Sequence, residues 1–290
     1  MPGFFSHINH ADTATLSAIN PYTGTAATML RPLTELQIAL AKGLMRGPIN
    51  GTASIPASLE IRADLGSTKP VHCVGLIGCN GATTIVGVVQ LSNVSPGAGE
   101  VGGGSVEWSA DVGAGTESAS LWWFPDVLTI QARYVSITAT VYALPSGKRH
   151  VDARRLWIGA GGATILGYDS GWSVTPEDPS VDTQTPKGGV FLGNDVPGRI
   201  LTFSMLGRAE EEIRTATINE NDYDSIERTI LAVGKRKEIV ANPYYSADVR
   251  DYQRNVVYGR FTGWGATTHS SARIFGIPDI TVKEIPHRST

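Results

Sequence analysis

Apolar and polar residues alternate from Ser58 to Asp64, where Leu59, Ile61 and Ala63 interleave with Glu60, Arg62 and Asp64, the period of a half-buried strand. Leu65 to Pro70 then reads as a turn. Val71 to Cys79 is a short, almost wholly apolar run closed by Asn80-Gly81, which predicts a central strand covered on both faces. Further strands are predicted at Ile85–Leu91, at Arg133–Val141 with Tyr134, Ser136, Thr138 and Thr140 on one face, and at Arg155–Gly159. Arg199–Met205, Asn255–Phe261 and the tail Ile274–Ile285 continue the series. The period becomes helical once: Tyr223, Ile226, Ile230 and Val233 recur at three- and four-residue steps, so they share one face. Asn221 or Asp222 can cap this helix, Gly234 ends it, and Asp224, Glu227 and Lys235-Arg236-Lys237 suit its dipole. The prediction is helix 222–233, packed on the strands between Ile200 and Phe261. Thr34–Leu44 has good helix formers, but Gly43, Gly47 and Pro48 cut it short.

The stretches between these elements suggest how the chain is divided. The Thr-, Ala- and Asn-rich start, with a turn at Asn20–Gly24, reads as an extended arm over residues 1–50. A β-sandwich is expected over 51–160, a linker broken by Pro176, Pro179 and Pro186 over 161–195, and a second domain over 196–290. Within the sandwich, Ser95–Gly115 reads as a long surface loop. Its glycine runs Gly102–Gly104 and Gly113–Gly115 do not make a nucleotide loop, because no Lys-Ser/Thr follows and no helix begins after them.

Composition agrees with a mainly β chain of two modest domains: 290 residues with 33 Gly and 16 Pro, and 18% charged. The formal charge of -3 gives no general attraction to nucleic acid or anionic membrane, so proteins are the expected partners. No apolar run approaches the roughly 20 residues that span a bilayer, and Met1–Phe5 lacks the start of a signal peptide, so synthesis in the cytosol is expected. Cys73 and Cys79 flank an apolar run and read as buried thiols rather than a disulfide. His7 and His10 have metal-like spacing, and Asp178, Asp182 and Asp195 could be drawn into a carboxylate pair, but all lie in polar segments. No nucleophile has a base beside it, so no catalysis, cofactor or metal is expected. Leu121-Trp122-Trp123-Phe124-Pro125 is the most aromatic point; its tryptophans can fill the core or stack on sugars.

The order of segments resembles a family. Ile61–Gly66, Val74–Asn80, Arg133-Tyr134-Val135 and Arg155–Gly159 together resemble a galactose-binding-like (discoidin-like) β-sandwich of tailed-bacteriophage virion proteins. Tyr168–Trp172, the strand at Ile200, the helix and Val257–Phe261 resemble the tail-tube-like β domain of the same proteins. The resemblance covers roughly two thirds of the chain and implies a galactose-binding-like sandwich plus a tube-like domain with one packed helix. It implies a virion protein made in the host cytoplasm, similar to a distal tail protein whose ring joins tail tube to baseplate, without catalysis. Ring contacts are expected at Phe4, Phe5, Ile8, Val256, Tyr258 and Phe261, with other copies and tail-tip proteins as partners. The alternative is a carbohydrate-binding tail accessory or fibre-attachment protein, with Trp122, Trp123 or Trp172 stacking on host glycan. The sandwich is expected to fold alone.

Overall fold

The structure is a computed structural model that describes residues 3–19, 26–27, 45–46, 56–79, 84–109, 119–125, 130–142, 151–163, 168–169, 171–177, 182–184, 190–192, 198–214, 225–243, 255–271 and 273–285. In chain order the strands are β1 (Phe4–Asn9), β2 (Thr15–Ile19), β3 (Ala26–Ala27), β4 (Met45–Arg46), β5 (Ala57–Pro70), β6 (Cys73–Cys79), β7 (Thr84–Ser92), β8 (Gly102–Ser109), β9 (Ala119–Trp123) and β10 (Gln131–Tyr142). There follow β11 (Asp152–Ala153), β12 (Arg155–Ala163), β13 (Ser173–Glu177), β14 (Asp182–Gln184), β15 (Val190–Leu192) and β16 (Gly198–Ala209). Helices α1 (Glu210–Ile213) and α2 (Ile226–Val233) precede β17 (Ile239–Asn242), β18 (Val257–Gly263), β19 (Thr268–Ser271) and β20 (Ile274–Glu284).

The chain is mainly β. One large sheet runs β13-β16-β20-β18-β17-β1-β12-β6-β9, with β19 paired to β20; a second runs β3-β2-β5-β10-β7-β8, and β11-β4 and β14-β15 form two-stranded sheets. Leu59, Ile61 and Ala63 of β5 and Val135, Ile137, Ala139 and Val141 of β10 are buried with Val74, Leu76, Leu156 and Ile158 of the first sheet. The period-two reading of β5 and β10 therefore describes the inter-sheet core. At the far end of the first sheet, Ile226, Ile230 and Val233 of α2 pack with Leu201, Phe203, Val257, Phe261 and Val282. The helix face is as expected, but the cap is not: Ser225 accepts from the Arg228 N–H. Asn221, Asp222 and Tyr223 lie outside the described residues, as do the helix proposed over Thr34–Leu44 and the turn at Asn20–Gly24.

β6 is buried along its whole length. Val74 and Leu76 enter the inter-sheet core, whereas Cys73 and Ile77 face a third cluster with Phe4, Trp122, Phe124, Trp157, Val240, Val256 and Tyr258. Both cysteines are buried thiols, and burial pushes the Cys73 thiol up to about 12.

Several boundaries differ from the sequence reading, each because pairing captured a segment that polarity alone left loose. Residues 4–9 are not an arm: β1 lies between β12 and β17 and joins the strands of the expected sandwich to those of the expected second domain. β2 likewise completes the other sheet along β5, so residues outside 51–160 help cover the sandwich core. The expected turn after Leu65 sits inside β5, where pairing jumps from Lys69↔Ala132 to Asp64↔Tyr134 and leaves the intervening residues as a bulge. Eight residues of the expected surface loop, Gly102–Ser109, are β8; a Cβ on Gly103 would lie 2.1 Å from the Val89 carbonyl oxygen, so its glycines permit close strand approach. In the expected linker, β13 pairs with β16 and β14 with β15. The strand at Val257–Phe261 is no edge, since β17 and β20 flank it. No described helix is long and apolar enough to cross a membrane.

Candidate functional site

The residues of β5, β10 and β7 that alternate with the core set form the outer face of the second sheet. Register builds it in rows: Asp64, Tyr134 and Ser92 lie across one level, Arg62, Ser136 and Gln90 across the next, and Glu60, Thr138 and Val88 across a third. Arg62 Nε donates to Glu60 Oε1 at 2.6 Å. The two side chains are 32% and 11% exposed, so the carboxylate is largely enclosed while the guanidinium reaches solvent. Arg133 grips Asp64 with two hydrogen bonds of 3.0 and 3.1 Å and lies 4.8 Å over the Tyr134 ring. Arg133, with the backbone N–H of Gly66, holds the Asp64 carboxyl below the usual carboxylate range.

The segment after Ser92 folds over this face. A Cβ on Gly97 would lie 3.5 Å from Arg62 Nη2 and 3.7 Å from Glu60 Oε1, and one on Gly99 would lie 3.6 Å from Gln90 Nε2. Backbone without side chain thus forms a rim over the Arg62–Glu60 pair. The rim is pinned by one carboxylate: Glu100 Oε1 accepts from Ser92 Oγ at 2.7 Å and from the backbone N–H groups of Asn93 and Val94. The Ser92 hydroxyl and these amides hold the Glu100 carboxyl down at about 2. Asn93 ties the rim to the sheet, accepting from the Arg133 N–H at 2.9 Å and donating to the Gln131 carbonyl at 3.2 Å. The result is a preformed polar shelf with matched charges and one aromatic ring.

The residues singled out from sequence fall elsewhere. Trp122 and Trp123 are only 2% and 6% exposed, because their alternating directions place one in each of two cores; neither can stack on a sugar in this fold. Trp172 is half-buried against the α2 core. Of the expected ring contacts, Phe4, Phe5, Val256, Tyr258 and Phe261 are buried within the chain, and Ile8 alone, at 42% exposed, presents its side chain outward. β1 and β18 each have neighbours on both sides, and the buried side chains enter the cores on the two faces of the sheet. Asp178 and Asp195 lie outside the described residues, and among those described no group of three His, Cys, Asp or Glu is placed to hold a metal.

His10 follows β1 in a short 3-10 turn. Burial, with Lys69 and His72 nearby, lowers its pKa to about 4. The unfolded chain takes up this proton near pH 6.5 and the folded chain does not, so stability should fall by about 2–3 kcal/mol as pH drops from 6.5 to 4. Thermal melts across that range should show the fall, and His10→Gln should flatten it; equal slopes for both proteins would refute it.

The shelf was missed because Arg62, Glu60 and Asp64 served the sequence reading only as the polar phase of a strand. Their one mark in the sequence is that three consecutive outward positions are all charged, a composition that a solvated strand face shares.

No family model and no curated protein matches the chain. Solved structures similar to it include the lectin domain of lectinolysin complexed with Lewis B antigen, at 15% identity and TM-score 0.29 over 53% of this chain and 96% of that one. The family 32 CBM from C. perfringens NanJ in complex with galactose is similar at 15% identity and TM-score 0.31, over 55% and 99% of the two chains. A fucolectin from striped bass (Morone saxatilis) serum is similar at 11% identity and TM-score 0.31, over 96% and 95%. The superpositions are loose, and the shelf stands on its own geometry.

Proposed function

We propose that this chain is a carbohydrate-binding protein whose ligand lies on the shelf formed by Glu60, Arg62, Gln90, Tyr134 and the rim at Gly97. The observation that carries the reading is the Arg62–Glu60 pair beneath bare backbone. A sugar hydroxyl both donates and accepts, so adjacent hydroxyls can meet a guanidinium and a carboxylate side by side, while the Tyr134 ring offers an apolar surface to a sugar face. Glu60 balances Arg62 and Asp64 balances Arg133, so the shelf has no excess positive charge to favour an acidic sugar. The reading is of neutral glycans. It replaces stacking on Trp122 and Trp123 as the means of recognition.

The test is a glycan array followed by titration of the strongest neutral hit. Arg62→Ala should weaken binding at least tenfold, the scale of one lost charge-assisted hydrogen bond, and Trp172→Ala should leave affinity within about twofold. Equal affinity of Arg62→Ala and the unaltered chain would overturn the site; a preference confined to sialylated or sulfated glycans would overturn the neutral class.

A further inference from the structure

We propose that the cleft between β12 and β17 is a strand acceptor that can take residues 4–9 from a second copy of this chain in place of its own. β12 and β17 do not pair with one another; β1 fills the gap, antiparallel to both. The cleft is shaped to that segment. β12 offers Gly159, Gly161 and Gly162 opposite β1, and a Cβ on Gly161 would stand 2.2 Å from the Phe5 carbonyl oxygen. Phe4 packs edge-on to Phe124 at 5.2 Å in one core, while Phe5 enters the α2 core on the other face. Ser6 Oγ donates to the Ala160 carbonyl at 2.7 Å, and Tyr168 donates its hydroxyl to the Phe4 carbonyl at 2.8 Å.

The hold is uneven. β1 pairs with β17 at only three positions, Phe4 to Ser6, and a bulge between Ser6 and Ile8 interrupts its ladder on β12. Release of β1 gives up three pairs with β17 and five with β12, an opening confined to one strand. A copy of the same segment from another chain makes the same contacts, so the balance between own and exchanged strand is set by effective concentration and not by any new interface. Self-association then runs through a shared strand, with Phe4 and Phe5 buried in either state.

The test uses the full chain carrying Phe4→Ala and Phe5→Ala, with a fluorescein-labelled peptide of residues 3–13 as the probe. The peptide should bind with a saturable rise in anisotropy and raise the melting temperature, and a peptide with both phenylalanines changed to alanine should not. A folded variant that binds neither peptide up to about 1 mM, or both equally, overturns the proposal. Should the variant not fold, amide exchange on the unaltered chain decides: the β1 amides should exchange through an opening smaller than that of β6 and β10, and exchange of β1 only through global unfolding overturns it. Light scattering after concentrated protein is passed through mild urea and back should show dimers; monomer alone overturns exchange between copies.

Discussion

Glu238→Ala is expected to reduce the unfolding free energy by about 2–3 kcal/mol, the cost of removing one of the two carboxylates that bond the buried Arg155 guanidinium. Arg155, at the start of β12, is 1% exposed, and its guanidinium donates to Glu238 at 3.0 Å and to both Asp12 carboxylate oxygens. Three distant parts of the sequence are thereby joined: the turn after β1, β12, and the residue before β17. Tyr258 packs into the same region, and burial, then the Glu238 charge, drives its hydroxyl well above its ordinary range. Glu238 is almost fully enclosed, whereas the Asp12 side chain is 30% exposed, so Asp12→Ala should cost less than Glu238→Ala, about 1–2 kcal/mol, because Arg155 keeps its buried partner. The double change Arg155→Met with Glu238→Leu removes both buried charges and should cost less than Glu238→Ala alone. Urea denaturation of the four proteins settles the order; a single and a double variant of equal stability would show that the pair is not acting as buried charge.

Ile230→Asp should cost about 4 kcal/mol or more, because it sets a carboxylate on the buried face of α2 among Leu201, Phe203 and Phe261 with no partner designed for it. The adjacent Leu231 is 77% exposed, so Leu231→Asp on the same helix should shift stability by about 0.5 kcal/mol or less. Arg228, also exposed, should behave like Leu231. Thermal melts decide it: comparable losses at Ile230 and Leu231 would mean that the helix face is misassigned.

The sequence by itself determined what depends on neighbours along the chain. Alternation along β5 and β10 fixed which residues enter the core, since strand side chains must point to opposite faces. The three- and four-residue spacing of Ile226, Ile230 and Val233 fixed the buried face of α2 for the same kind of reason. Gly234, with φ 55° at the helix end, marked its stop through a backbone preference that is purely local. What tertiary structure decided is everything that depends on which distant strand arrives beside which. A six-residue stretch such as Phe4–Asn9 has the same local pattern whether it is an arm or an interior strand; the glycines of β12, 150 or so residues away, make it interior. Trp122 and Trp123 were equally legible as core or as sugar platforms until β9 gained β6 on one side and two separate cores on its faces. Arg155 read as one polar residue opening a strand, because its partners Asp12 and Glu238 are remote and charge pairing leaves no period in the sequence. The shelf at Arg62 had its row of charges in plain view, but the rim that makes it a site comes from Gly97, placed there by the fold of the turn that Glu100 holds.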